Sequence, residues 1–329
     1  MDGGVLTAIG NTPLVRLTRV HGALKFSLLA KLESANPGGS VKDRAAFNII
    51  KKALESGEIG PRSTVIESSS GNMGIGLAMA CAYLGLRFIC VVDKRTTAQN
   101  INILRAYGAE VDVVSEPDPV TGDLLQARID RVKFLMQLTD DSFWPNQYAN
   151  ENNSSAHYHT TMREIATAMA GQLDYLFCAT STCGTIRGCA EYIVENNMKT
   201  KVIAVDTVGS VIFGGERKKR LIPGLGAAIV PPLCRRELVD ECVHVTDADC
   251  VVGCRRLILR EGILAGGSSG GLVMAVERLK DRIPVGARCV LICPDRGERY
   301  IDTIYSDKWV KENFGDIEYR WRNAPDAHG

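Results

Sequence analysis

Asn36-Pro37-Gly38-Gly39-Ser40-Val41-Lys42-Asp43-Arg44 is the stretch whose reading decides the fold. It follows an apolar run at 27–32 and opens a helical pattern at Lys42, so it marks a strand-to-helix crossing. A proline followed by two glycines makes a tight turn that brings backbone close to a ligand. Ser40 can cap the helix, which places Lys42 in its first turn. The positive end of the helix dipole disfavours a cation there, which lowers the lysine pKa and helps a neutral amine form an imine. Read alone, the same residues also describe a surface lysine beside a structural turn.

Outward from this turn, short β-branched runs alternate with longer helical patterns, the signature of an α/β protein with mostly parallel strands. Strands are expected at 27–32, 64–67, 87–92, 110–114, 175–179, 201–205, 242–245 and 288–293. Their nearly continuous apolar character suits strands covered on both faces. Helices are expected at 42–56, 72–84, 97–107, 123–138, 154–170, 185–196, 248–261 and 270–280, with Gly57, Gly85, Gly108 and Gly262 at their ends. Two consecutive βαβ modules, 64–92 and 87–114, point to a smaller subdomain. Both ends, about 1–8 and 315–329, read as peripheral.

A length of 329 residues favours about two domains. Lys and Arg total 39 against 38 for Asp and Glu, so charge gives no reason to expect nucleic acid or an anionic membrane as partner. No apolar run approaches the roughly 20 residues needed to span a bilayer. The start, Met1-Asp2-Gly3-Gly4, lacks the pattern of a signal peptide. Eleven cysteines without CxxC spacing read as reduced, buried thiols of a cytoplasmic protein. No metal is expected, since the nearest candidate, His157-Tyr158-His159, has no cysteine partner at ligand spacing.

Three further loops precede helices. In Glu67-Ser68-Ser69-Ser70-Gly71-Asn72-Met73-Gly74, hydroxyls and N–H groups converge on a helix start suited to a carboxylate, and Asn72 can hold a phenolic oxygen. A plain Ser/Asn helix cap reads equally well. Thr180-Ser181-Thr182-Cys183-Gly184-Thr185 can cradle a phosphate, though it is neither a Walker loop nor a dinucleotide glycine pattern. In Gly262-Ile263-Leu264-Ala265-Gly266-Gly267-Ser268-Ser269-Gly270-Gly271, Ser268 can meet a buried ring nitrogen and leave it largely unprotonated; the alternative is a glycine-rich turn without a ligand. All four loops are expected at strand-to-helix junctions, where α/β sheets gather ligand sites. Their combination with the lysine argues against coincidence.

In this order the motifs resemble the fold-type II pyridoxal-phosphate enzymes, the cysteine synthase and cystathionine β-synthase family, across approximately 6–309 and including Ile9-Gly10-Asn11-Thr12-Pro13-Leu14. The resemblance implies two three-layer α/β/α subdomains with mostly parallel sheets. These are a large cofactor domain from 9–44 and 155–314, and a small substrate-closing domain from 45–154. It implies pyridoxal 5′-phosphate on Lys42 as a Schiff base, with Asn72 at the 3′-oxygen. Ser181, Thr182, Cys183, Gly184 and Thr185 fall on the phosphate loop, and Ser268 on the pyridine nitrogen. Ser69, Ser70, Met73, Gln147 and Tyr148 are the substrate-side positions, and a homodimer is implied.

Departures from the family pattern narrow the reaction. The phosphate loop reads Ser-Thr-Cys-Gly-Thr where sulfhydrylases usually have Gly-Thr-Gly-Gly-Thr, and Met73 stands where a threonine is usual. Segments 146–150, 209–214 and 294–300 also look specialised. These features are similar to the branch that joins O-phospho-L-serine to L-glutamate, towards 2,3-diaminopropionate for siderophores and antibiotics. In that reaction Lys42 is the general base at Cα. Ser181, Tyr148 and the basic run Arg217-Lys218-Lys219-Arg220 are candidates for the departing phosphate. The run also reads as a solvated loop or a site for the second substrate's carboxylates. The rivals are a sulfhydrylase making cysteine and a non-catalytic binding protein that keeps the fold.

Overall fold

The computed structural model describes residues 3–322; residues 1–2, and 323–329 of the expected C-terminal tail, lie outside the described residues. Two sheets carry the architecture. In chain order the elements are β1 (Leu14–Leu17), β2 (Ser27–Leu32), α1 (Lys42–Glu55), β3 (Thr64–Ser68), α2 (Asn72–Leu84), β4 (Arg87–Asp93), α3 (Ala98–Ala106), β5 (Glu110–Val114), α4 (Leu124–Leu138) and β6 (Ser142–Phe143). They continue as α5 (Glu151–Ala156), α6 (Arg163–Ala168), β7 (Tyr175–Ala179), α7 (Gly184–Glu195), β8 (Lys201–Thr207), β9 (Glu241–Val245), α8 (Asp247–Arg256), α9 (Gly267–Leu279), β10 (Arg288–Cys293), α10 (Asp307–Phe314) and α11 (Tyr319–Arg322). One sheet has the order β1-β2-β10-β7-β8-β9 and the other β5-β4-β3-β6. Every pairing is parallel except β1 on β2, where Leu14 faces Lys31.

The apolar strands are covered on both faces, as a three-layer fold requires. Along β7, Phe177 packs on one face with Ile203, Val251 and Leu272, while Leu176 and Cys178 pack on the other with Ile186, Cys189 and Val290. In the smaller sheet, Val65, Phe88, Cys90 and Val92 meet α1 and α2 through Ile49, Ile75 and Leu77, while Ile66, Ile89 and Val91 meet Val132 of α4. Alternate residues of one strand therefore serve two cores.

Several expectations need correction. The helix expected at 154–170 begins at Glu151 and is interrupted by a π-helical stretch, His157–Met162; the one expected at 248–261 changes to π at Leu257–Glu261. In the first case His157 Nδ1 bonds Thr161 Oγ1 (2.9 Å) and Thr160 Oγ1 donates to the Ala156 carbonyl (2.6 Å), so side chains compete with the helical ladder. The ends are less peripheral than expected. Leu6 is buried, Trp321 joins the larger core, and Arg320 pairs with Asp249 at 2.7 Å. All eleven cysteines are unpaired, and all but Cys234 and Cys242 are buried. Among the described residues no helix is long and apolar enough to cross a membrane.

A buried ionic network fastens the start of α1 to β2 and α6. Arg44 reaches Glu33 at 2.7 and 2.9 Å and Glu164 at 2.6 and 2.8 Å; Lys31 adds a second cation to Glu164 at 2.7 Å. Thr12 donates to Glu33 (2.7 Å), and Asn36 Nδ2 to the other Glu33 oxygen (2.8 Å), while Asn36 Oδ1 accepts from Gly10 N–H (2.9 Å). Burial works to raise the Glu164 carboxyl, but the bonds from Arg44 and Lys31 overcome it and hold it at about 2.

Removing one partner strands the other charges in the interior, so Arg44→Met is expected to cost about 3–5 kcal/mol in urea unfolding. A cost near zero contradicts the network's role. A depressed carboxylate stabilises the fold above its unfolded pKa and stops doing so as pH falls through the folded one. The Glu164 contribution is therefore full above about pH 5 and fades towards pH 2, and Glu164→Gln should flatten this part of the stability–pH curve.

Candidate active site

The turn before α1 is shaped by its own acid. Asp43 turns back to accept the Gly38 N–H at 2.6 Å, and a Cβ on Gly38 would lie 2.6 Å from that carboxyl. Burial pushes Asp43 up to about 7 against the bond from Gly38. Gly39 takes φ +85°, which a side chain rarely adopts. Ser40 is not the N-cap: Val41 is, and the Ser40 hydroxyl instead accepts the Lys42 N–H at 3.2 Å. Val41 N–H donates to the Pro294 carbonyl (2.7 Å), which docks the turn on the end of β10.

Lys42 is half-buried at the first position of α1. Burial lowers its pKa, with Asp295 and Cys183 pulling the other way. The helix dipole invoked from the sequence points in the same direction as desolvation. Asp295 lies one residue beyond Pro294 and is buried. Its Oδ2 accepts from Asn72 Nδ2 (2.8 Å) and from the Tyr300 hydroxyl (2.7 Å), whereas among the described residues Oδ1 has no hydrogen-bond partner. Burial raises the Asp295 carboxyl. Arg299 donates to Asn72 Oδ1 and to the Gly38 carbonyl (2.8 Å). The two ends of the Asn72 amide are thus held by residues that sequence reasoning met only as a specialised segment. The signal was a cluster of charges straight after an apolar strand.

The loop from β3 to α2 gathers the other polar positions. Ser69 Oγ accepts the Gly74 N–H at 2.9 Å, and Ser70 Oγ accepts Arg128 Nη1 at 2.6 Å; each hydroxyl keeps its proton to donate. The Met73 side chain does not face the loop. It is buried against the smaller sheet, because a long apolar chain in the first turn of α2 finds the core, and what this position offers a substrate is its backbone. Glu67, at the end of β3, accepts from Ser68 N–H (2.7 Å), Trp144 Nε1 (3.0 Å) and Gln147 N–H (3.1 Å). Burial pushes it up to about 7. Gln147 Nε2 donates to the Ser68 carbonyl (3.2 Å), tying the segment 144–148 to this loop.

Tyr148 is half-buried, and its hydroxyl makes no hydrogen bond among the described residues. Burial raises the phenol, and Arg128, Glu67, Arg220 and Asp123 are the charges that act on it. Arg128 was missed in the sequence because it lies within the regular pattern of α4. Its side chain is almost covered and sits 3.3 Å from Asp93.

At the start of α7 the N-cap Cys183, at φ +66°, makes no side-chain cap bond, and Gly184 N–H reaches Thr182 Oγ1 at 3.4 Å. Thr182 Oγ1 accepts from Asn153 Nδ2 (3.3 Å), and Thr185 Oγ1 bonds His157 Nε2 (3.3 Å). A Cβ on Gly184 would meet Asn153 Oδ1 at 2.1 Å. His157 therefore serves this loop from behind, with its pKa driven well down by burial and by Lys42 and Arg44. Among the described residues no metal-binding group of His, Cys, Asp and Glu gathers. The fourth loop does not follow a strand: it leaves the π-helical end of α8, and an Ala265–Arg296 bridge holds it beside the end of β10. The helix after it starts at Gly267, so Ser268 stands in the first turn of α9, buried and with its hydroxyl unpartnered among the described residues.

These features fit a phosphorylated aromatic aldehyde. The start of α7, whose N-cap residue makes no cap bond, offers N–H groups to a phosphate, the unpartnered Ser268 hydroxyl suits a ring nitrogen, and Lys42 has a depressed amine pKa.

Known proteins agree with this geometry. The family described as "Pyridoxal-phosphate dependent enzyme" matches residues 5–295. A Cupriavidus metallidurans protein named N-(2-amino-2-carboxyethyl)-L-glutamate synthase is 46% identical over 93% of this chain and 90% of its own length. A protein of the same name from Ralstonia nicotianae is 45% identical over the same shares. Among solved structures, an O-acetylserine dependent cystathionine β-synthase from Helicobacter pylori superposes with a TM-score of 0.86 at 32% identity, covering 93% of this chain and 99% of that one. The chain belongs to the pyridoxal-phosphate dependent enzyme family.

Proposed function

We propose that the enzyme converts O-phospho-L-serine and L-glutamate to N-(2-amino-2-carboxyethyl)-L-glutamate and phosphate. The observation that carries this reading is Arg128. Its guanidinium bonds Ser70 in the loop suited to the substrate carboxylate, and its charge acts on the unbonded Tyr148 hydroxyl. A nearly covered cation beside spare hydroxyls suits a dianionic leaving group, and a neutral acetyl group has no need of it. The two relatives that carry the synthase's name support the same choice of nucleophile.

Bound with its phosphate at the start of α7, its ring nitrogen at Ser268, its 3′-oxygen at Asn72 and its aldehyde at Lys42, pyridoxal 5′-phosphate supplies a sink for the electron pair left at the substrate Cα. The remaining work belongs to the chain. Ser69 and Ser70 donate their hydroxyl protons to the substrate α-carboxylate at the α2 N-terminus, with Gln147 beside them. Lys42 Nζ, disposed to be neutral by burial, takes the Cα proton and later returns it. Arg128, Tyr148 and Ser181 receive the phosphate as its bond to Cβ breaks, and the glutamate amine then bonds to Cβ. Glu67 holds Ser68 and Gln147 in register for these contacts. In this proposal residues 45–154 close over the substrate, the enzyme works as a cytoplasmic homodimer, and its product feeds 2,3-diaminopropionate for siderophores or antibiotics.

The direct test supplies the loaded enzyme with O-phospho-L-serine and either L-glutamate or sulfide and identifies products by mass. The glutamate adduct is expected, and cysteine as the dominant product sinks the assignment. Lys42→Ala should lose turnover and the cofactor's visible band together. Arg128→Met should raise the KM for O-phospho-L-serine by about 10- to 100-fold, the worth of a charge-assisted hydrogen bond, with little change for O-acetylserine. Equal effects on the two substrates would assign Arg128 a purely structural part.

A further inference from the structure

The loop 216–227 carries the basic run that sequence reading left between a solvated surface and a ligand site, and the structure divides its members. Arg217 is exposed and reaches across to Asp123, the N-cap of α4, at 2.8 Å; Lys218 pairs with Glu216 at 3.6 Å. The loop thus spans from the larger sheet to the helix that bears Arg128. It is also joined to the phosphate-loop side, because Gly226 N–H donates to the Thr180 carbonyl at 2.7 Å.

Arg220 differs from its neighbours. It is half-buried, packed against the Gly226 turn, and among the described residues its one hydrogen bond runs from Nη1 to the Leu225 carbonyl at 2.7 Å. Among the described residues it forms no ion pair. The nearby acids are engaged elsewhere: Asp206 accepts Thr207 and Phe213 N–H groups, and Asp247 accepts those of Leu221 and Ile222. Burial draws its pKa down while Asp206, Asp247 and Tyr148 act in the opposite sense. A guanidinium has five N–H donors, so most of this one's remain open. A guanidinium whose hydrogen bond goes to a neutral carbonyl has donors left to offer an anion.

We infer that Arg220 is a specificity-determining residue that receives the side-chain carboxylate of the second substrate. This rests on the reaction proposed above and assigns the part of it that chooses the nucleophile. Arg128 is already paired with Asp93 and bonded to Ser70 in the loop assigned to the first substrate, whereas Arg220 belongs to the loop that ties Asp123 of α4 to Thr180 of the phosphate loop. The second substrate is therefore an amine that carries an acidic side chain, and L-glutamate meets that description. Glutamine, of the same length but neutral, does not.

The test compares Arg220→Gln and Arg220→Lys with the wild-type holoenzyme. Phosphate release from O-phospho-L-serine reports the first half-reaction, and product formation against L-glutamate and L-glutamine reports the second. The expected result in Arg220→Gln is a KM for glutamate raised at least tenfold more than that for phosphoserine, with the preference for glutamate over glutamine lost and partly restored in Arg220→Lys. An unchanged glutamate KM and preference in Arg220→Gln overturns the inference while leaving the reaction standing. A wild-type enzyme that forms no adduct with glutamate overturns both.

Discussion

Arg44 and the two carboxylates that grip it are the constraint on which the site depends. The arginine sits two residues after Lys42 on the first turn of α1, so whatever fixes its guanidinium fixes the lysine's backbone. Glu33 closes the turn from the β2 side through Asn36, and Glu164 closes it from α6. Each charge is desolvated, and the arrangement is tolerable only because nearly every lone pair has a donor. Such a network contributes less to net stability than its short distances suggest. Its value is a single allowed position for the Asn36–Arg44 turn.

From that fixed point the electrostatics of the cleft follow. Docking Val41 on Pro294, with Ser40 bridged to Asp295, brings that acid near enough to act on Lys42, and Asp295 in turn orients Asn72 and Tyr300. Opposing influences meet at Lys42, because burial favours the free amine and the carboxylate favours the ammonium. A base that must both take and return a proton profits from that balance. Elsewhere in the site, Glu67 fastens the 144–148 segment to the serine loop, whose Ser70 bonds Arg128.

Much of the fold was legible in the sequence. Strands such as Tyr175–Ala179 and Arg288–Cys293 are apolar throughout, and glycines such as Gly85 end their helices in the left-handed region. The Lys42 turn was legible because Pro, Gly, Gly and Lys have few other reasons to stand together. What escaped was set by tertiary contact. Leu14–Leu17 is too short to show a period, and the π-helical stretch at His157 depends on Thr161 and Thr185. Arg128 pairs with a serine 58 residues away, and Asp295 earns its place from Asn72, 223 residues distant.

The central claim is that a carbon–nitrogen bond forms at the carbon from which phosphate departs. Nuclear magnetic resonance of O-phospho-L-serine labelled with heavy carbon at Cβ, turned over with heavy-nitrogen L-glutamate, observes that bond itself. The account predicts a one-bond carbon–nitrogen coupling at the labelled Cβ, rising as free phosphate appears. Phosphate release without that coupling, or no release at all, would contradict it.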